Sequence, residues 1–296
     1  MLSPKNRSPI FLCNIKTSAI NTPQVIPRAV LKTGRRANIW PVVALTIFSA
    51  SAQAEDPSLS YPDIVLEDIQ QVVTAPARWQ TEDWKNFARA SVAVIGTAIL
   101  IDAPLRDEMR RQPNGNRFMF NIERLGAEYS IAVVGGFYLA GSLADNDTAL
   151  LVAQDGLAAS IIASGLITPA IKIAAGRSRP YENTGTGDFN SLGADNRNSS
   201  FPSGHTTEAF ALASVISAHY EDTRVKYSAY TVATLVGAAR TYHDAHFASD
   251  VLAGAFIGYW VGQSVVSHNR VGRAGSVTIL PETSLDVVGL RLTGNF

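Results

Sequence analysis

From about residue 84 to residue 267 the chain is a succession of apolar runs separated by short polar breaks. Their length and composition predict helices. The first runs from Trp84 to Leu105, with Ser91 to Ile101 almost wholly apolar before Asp102 and Pro104. A charged stretch, Arg106 to Arg124, holds the turn cluster Pro113-Asn114-Gly115-Asn116. A second helix, rich in Gly and Ala, is expected from Leu125 to Leu143, closed by Asp145-Asn146-Asp147. The third, Thr148 to Ala175, carries Lys172 near its end and is expected to be interrupted at Pro169. Gly176 to Ser200 is polar and reads as a long loop of the kind that often binds ligands. Thr206–Tyr220, Tyr227–Arg240 and Ala248–Val266 complete the set. Beyond His268-Asn269-Arg270 the pattern changes: Val277–Leu280 and Val287–Leu292, separated by Pro281-Glu282-Thr283, read as a short β-hairpin. Residues 55–80 read as a polar lead-in with a short amphipathic helix near Trp79 and Trp84. The expected fold is all-α, an antiparallel bundle of about six helices with a β-like C-terminal tail. The expected divisions are an N-terminal extension (1–54), a lead-in (55–84), a helical domain (85–270) and a tail (271–296).

The N-terminus adds a location. Arg35-Arg36 precede the apolar run Ile39 to Ala50, and Ala52-Gln53-Ala54 follow, the pattern of a cleaved secretory signal. The expected setting is therefore a bacterial-type cell envelope. Most apolar runs are about 12–18 residues, below the ~20 that cross a bilayer cleanly, although their many small residues suit close helix packing. A membrane-associated protein is the first reading and a soluble periplasmic bundle the second. The formal net charge of zero gives no basic surface for nucleic acid. The single cysteine, Cys13, precedes the mature start, which excludes a disulfide framework or a Cys metal site in the exported chain.

Three separated clusters carry the candidate chemistry. Lys172 and Arg179-Pro180 place two cations where a helix opens into the loop, and both side chains suit phosphoryl oxygens. Pro202-Ser203-Gly204-His205 leads directly into an apolar helix. Gly204 leaves room for backbone N–H groups to meet an anion at the helix start, and Ser203 can donate or cap. His205 would stand beside the bound group, able to protonate a leaving oxygen. In the third cluster Arg240 is followed by His246 and then Asp250. The four-residue spacing lets the Asp250 carboxylate accept one imidazole N–H, which leaves the other ring nitrogen free to attack. His243 lacks a carboxylate at that spacing and is set aside, while His219 and His268 read as surface residues.

Taken together, Lys172-x6-Arg179-Pro180, Pro202-Ser203-Gly204-His205 and Arg240-x5-His246-x3-Asp250 resemble the three-part signature of the type 2 phosphatidic acid phosphatase superfamily. That superfamily holds lipid phosphatases, class A non-specific acid phosphatases and vanadium haloperoxidases. The resemblance covers roughly residues 85–267. It implies that His246 attacks phosphorus to form a phosphohistidine, oriented by Asp250. His205 would protonate the leaving alcohol and later activate water. Lys172, Arg179, Arg240, Ser203 and the Gly204 amide would hold the phosphoryl oxygens, with no metal or cofactor. One departure stands out: Ala239 occupies the position before Arg240 where the family usually has serine.

The function expected on this basis is a metal-independent phosphatase of the cell envelope that hydrolyses phosphomonoesters or pyrophosphates, lipid-linked ones first, through a phosphohistidine; the expected partners are a phosphorylated lipid or small phosphoester substrate and a membrane. The alternatives are a soluble periplasmic acid phosphatase, a vanadate-dependent haloperoxidase, and a phosphate-binding protein without turnover, for which Ala239 is the only support.

Overall fold

The structure, a computed structural model, describes residues 60–112, 115–190, 192, 195–274, 278–284 and 287–293. The expected signal sequence and Cys13 lie outside the described residues. Ten α-helical segments are seen among them: α1 (Tyr61–Thr74), α2 (Thr81–Leu100), α3 (Asp102–Arg111), α4 (Arg117–Glu123), α5 (Ser130–Ala144), α6 (Asp147–Ser160), α7 (Thr168–Ala175), α8 (Gly204–His219), α9 (Thr223–Tyr242) and α10 (Ala248–Ala274). A two-stranded antiparallel hairpin follows, β1 (Thr278–Ser284) and β2 (Val287–Thr293). Each of the six expected helices has its counterpart, and the fold is the all-α bundle with a β tail.

The differences have local causes. The expected amphipathic helix begins earlier, at Tyr61, because Ser60 and Asp63 form a reciprocal capping box there and Pro62 sits in the first turn. Its Tyr61, Val65 and Val72 are part of the main core. The chain bends by 54° between α2 and α3, and by 65° between the α4 segment and α5. The third long helix is not broken at Pro169. It passes instead through a π-helical stretch, Ile161–Ile167, between α6 and α7. A proline lacks the N–H and crowds the carbonyl four residues back, and a wider turn upstream relieves that crowding without ending the helix. Pro281-Glu282-Thr283 do not form the hairpin turn; they pair within β1, with Pro281 opposite Leu290. A two-stranded hairpin has only edge strands, where a missing N–H need not cost a ladder bond.

Helix α8 is the axis of the bundle. Thr206 to Ala209 and Ala211 to Val215 are all buried, although the segment has little amphipathic pattern. Its most extensive partner is α10, followed by α9 and α6. Three α10 glycines spaced four apart make that contact backbone to backbone. A Cβ at Gly254 would lie 2.6 Å from the Ser203 carbonyl oxygen, one at Gly262 would lie 2.7 Å from that of Ala211, and one at Gly258 would overlap that of Thr207. Small residues on one ridge let two helices approach until their main chains touch. Here that approach sets the start of α8 against the start of α10.

His219, expected at the surface, is instead nearly buried at the far end of α8. Its Nε2 lies 2.7 Å from Asp155 Oδ2, and Asp155 also accepts from Asn269 and Arg273, both at 2.9 Å. A carboxylate without access to water has to collect such partners. The outside of the bundle is different in character. Helix α2 buries none of its residues, and Val92, Ile99 and Leu100 are each about 70% exposed or more. The segment Asp147–Ala175 is long and apolar enough to cross a membrane, and the bent pairs α2–α3 and α4–α5 each reach that length if counted as one span.

The glycine contact gives a test. Gly258→Ala forces a methyl into the Thr207 carbonyl and is expected to cost about 1–3 kcal/mol as an overpacked contact. Gly135, on α5, has open space around its Cβ position. Gly135→Ala is therefore expected to leave the melting temperature in detergent unchanged or slightly raised, while Gly258→Ala lowers it.

Candidate functional site

The site is assembled by the way the 176–200 loop folds back. Gly176, at φ 58°, closes α7 in the left-handed region that glycine tolerates. The chain then runs antiparallel to its own later part. Arg179 N donates to the Arg197 carbonyl and Ser200 N to the Arg177 carbonyl, each at 2.9 Å. This pairing carries Ser199 and Ser200 to the end of α7, where three of the expected residues grip them. Lys172 Nζ donates to the Ser199 carbonyl. Arg179 Nη2 reaches Ser199 Oγ at 3.2 Å, and its Nε reaches the Asn196 carbonyl at 3.0 Å. His246 Nδ1 lies 2.7 Å from the Ser200 carbonyl oxygen.

The Ser203-Gly204-His205 turn follows this segment directly. Ser203 N donates to the Asp250 carbonyl at 3.0 Å, which ties the turn to the start of α10. The Cβ position of Gly204 is 3.9 Å from Lys172 Cε, so the lysine stem lies over the bare glycine. Ser203 precedes α8 as expected, but its side chain does not cap the helix. The hydroxyl is buried and accepts from Thr206 Oγ1 at 2.9 Å, because the tight contact with α10 turns it inward. Its own proton is left for another acceptor.

The expected hydrogen bond between His246 and Asp250 is replaced. Their closest atoms, Nδ1 and Oδ2, are 3.8 Å apart, beyond hydrogen-bond range. The Ser200 carbonyl takes the imidazole N–H, while Asp250 is consumed by other donors. Its Oδ2 accepts from Ser200 Oγ at 2.6 Å and from Phe247 N at 2.8 Å, and its Oδ1 accepts from Arg177 Nη1 at 2.6 Å. The chemical outcome for the ring is still the one sought. A carbonyl oxygen can only accept, so Nδ1 must carry the proton and Nε2 keeps its lone pair.

Arg240 is not a free cation. Its Nη1 lies 2.6 Å from Glu123 Oε2, and the same oxygen is 2.7 Å from His243 Nδ1. His243 is thus part of the border of the site through a carboxylate distant in sequence, which residue spacing could not reveal. Burial pushes His246 down to about 3, assisted by the charges of Lys172 and Arg240. Burial also pushes His205 down to about 4, with Arg240 and Arg179 assisting against Glu123 and Glu128. Arg240 acts on both rings, while Lys172 acts on His246 and Arg179 on His205, so members of the three clusters lie within electrostatic reach of one another. Burial of Asp250 favours its acid form, yet the adjoining His246 ring, the Arg177 charge and the Ser200 hydroxyl hold its carboxyl below the usual range.

Three contributors escape a reading of the sequence: Arg177, Asp102 and Glu123. Asp102 showed itself only as the end of an apolar run, and Glu123 as one charge among many. Among the described residues no group of His, Cys, Asp and Glu is arranged to hold a metal ion.

Two histidines and three basic side chains thus stand at one end of an apolar bundle. Residues 156–270 match the model of the PAP2 superfamily. The match begins inside α6, later than the stretch over which the motif resemblance was drawn. Among similar proteins, a Porphyromonas gingivalis protein named lipid A 1-phosphatase is 42% identical over 105 residues, 32% of this chain and 24% of its own length. A Rhizobium etli protein of the same name is 32% identical over 129 residues, 42% of this chain and 55% of its own length. The chain thus spans about a quarter to about half of these relatives. The crystal structure of Aquifex aeolicus LpxE aligns with 56% of this chain and 95% of its own, at 26% identity and a TM-score of 0.44.

The tautomer yields a prediction. Nitrogen NMR of labelled protein is expected to show His246 as neutral imidazole protonated at Nδ1 throughout the mildly acidic range. Because its folded pKa is depressed, the ring stays neutral well below the pH at which an exposed histidine takes up a proton.

Proposed function

We propose that this chain is a metal-independent phosphatase that removes phosphate from a membrane lipid through a phosphohistidine on His246. The observation that carries the reading is the Ser200 carbonyl holding His246 Nδ1, which leaves Nε2 with its lone pair on a segment that Lys172 and Arg179 also hold. In this reading the substrate phosphoryl group lies between the start of α8 and the Ser199–Ser200 segment. Nε2 attacks phosphorus in line with the departing lipid oxygen. Lys172, Arg179 and Arg240 spread the charge of the equatorial oxygens, and the Gly204 amide and Ser203 hydroxyl donate to them. His205 gives its proton to the leaving oxygen. In the second half it takes a proton from water, which displaces His246 and releases inorganic phosphate.

The lipid part of the proposal draws on the apolar outer faces of α2 and α5 and on the names of the partial relatives. A phosphate on a glycolipid of the lipid A type is the first substrate to try. A cell-envelope location, with the N-terminal segment as its export signal, belongs to the same proposal. His205 enters the reaction as an acid, yet in the free protein burial pushes its ring down to about 4. A bound phosphate dianion beside the ring favours the imidazolium, so binding and proton uptake are linked.

Two outcomes test this. Detergent-purified protein is expected to release phosphate from lipid phosphomonoesters with excess chelator present. His246→Ala should lower turnover by at least about 10³-fold, as loss of a nucleophile does elsewhere. Acid-quenched wild-type protein should carry label from a ³²P-lipid, and that label should be absent from His246→Ala. Separately, kcat/KM is expected to rise as pH falls from neutrality to about 6, because the protonated fraction of His205 grows while His246, pushed down to about 3, stays neutral, and to level off below that, where a phosphomonoester loses its dianionic form. His205→Gln should flatten that rise; a profile flat in the wild type would remove His205 from the acid role.

A further inference from the structure

Arg177 belongs to none of the three motif clusters, and the mechanism above gives it no task. It is nevertheless among the most enclosed side chains of the protein, with 2% exposure. Its guanidinium joins three parts of the chain. Nη1 donates to Asp250 Oδ1 at 2.6 Å and to Ser249 Oγ at 2.7 Å, both at the start of α10. Nη2 donates to Asp102 Oδ2 at 2.8 Å, at the start of α3, and to the Thr186 carbonyl at 2.5 Å, in the loop. The plane lies against aromatic faces, with Cζ 4.2 Å from the Phe247 ring centre and 5.3 Å from that of Phe189. Asp102 completes the arrangement by accepting from Ser249 N at 2.9 Å and Ser249 Oγ at 2.6 Å.

The connection to His246 runs through Ser200. The Ser200 hydroxyl is held by Asp250, which Arg177 fixes, and the Ser200 N–H is held by the Arg177 carbonyl itself. Ser200 is therefore fastened at both ends by one residue, and its own carbonyl is what His246 Nδ1 meets. We propose that Arg177 is a positioning residue of this site: its side chain through Asp250, and its main chain directly, fix the Ser200 carbonyl that sets the tautomer and aim of His246. The planar five-donor fork is essential to this, since one guanidinium meets two carboxylates, a hydroxyl and a carbonyl. Lysine offers a point charge that cannot do so.

The kinetic part of the test rests on the phosphatase reading; the spectroscopic part does not. Two variants are compared with wild-type protein in detergent. Arg177→Lys keeps the charge and loses the fork. The double variant Arg177→Met with Asp102→Asn removes one cation and one carboxylate, so the local charge stays the same while the clamp is lost. Expected for both is a folded protein in which the nitrogen signals of His246 move from the pure Nδ1–H pattern to a mixture of tautomers. Turnover of the lipid phosphate should fall by about 30-fold or more, with KM within about threefold. The acid limb of kcat should also move to higher pH, because a carboxyl that has lost its guanidinium protonates more readily. A purely structural role would lower the melting temperature and leave tautomer and pH limb in place. Unchanged His246 signals in a folded Arg177→Lys protein would overturn the proposal, even if the wild type proves an active phosphatase. Altered signals alongside a wild type that releases no phosphate would uphold it and remove the phosphatase reading instead.

Discussion

Asp250 has no exposure to water, and the chain around it is arranged to keep that carboxylate charged. An ionised carboxyl inside a protein is tolerable only when its lone pairs are filled by donors, preferably a cation. Asp250 collects three: Arg177, the Ser200 hydroxyl and the Phe247 amide. Two of the donors come from the 176–200 loop and one from the residue just before α10, so satisfying one charge brings the loop, the start of α10 and, through Arg177 and Asp102, α3 to the same place. The site is a by-product of that requirement. Without it, nothing in the helix packing alone would hold a twenty-five-residue polar loop against the end of an apolar bundle.

The packing supplies the complementary constraint. Gly254, Gly258 and Gly262 let α10 touch the main chain of α8, which leaves no freedom in how the Ser203-Gly204-His205 turn faces the first residues of α10. Gly126 plays a similar part from the other side, since a Cβ there would strike the His205 carbonyl. His205 and His246 are thus placed by two different means, one by steric contact between backbones and one by a hydrogen bond to a carbonyl. The first survives small changes in charge and the second does not.

Much of this was legible in the sequence because it is local. Apolar run length gave the six principal helices, and Lys172, Arg179 and His246 all contact the Ser199–Ser200 segment. What could not be read is what depends on distant partners. The i, i+4 spacing of His246 and Asp250 suggested a direct hydrogen bond, but the spacing says nothing of a Ser200 carbonyl 46 residues away that takes the proton first. His219 looked like a helix-end surface residue until Asp155, 64 residues earlier, drew it in. Pro169 looked like a break because a proline's effect is usually judged on a regular α-helix, whereas the π-helical stretch before it removes the conflict. The division into domains and the export signal concern residues or boundaries that these contacts do not reach.

Arg240 shows how the unliganded arrangement bears on the chemistry. Its pairing with Glu123 at 2.6 Å means that a phosphate approaching this cation meets a carboxylate already there. An anion of single charge gains little by competing, because it trades one pairing for an equivalent one. A dianionic phosphomonoester brings more charge to Lys172, Arg179 and Arg240 together, and it can displace or share the Glu123 contact at lower net cost. The Glu123 oxygen that turns from Arg240 still has His243 at 2.7 Å as a donor, so it is not stranded in a buried position. The unpartnered Nε of Arg240 points to the same conclusion, since the fork has a buried donor that no residue of the described chain takes up. Selection for the more highly charged form of phosphate would then arise from a residue pair that the motif contains only by half.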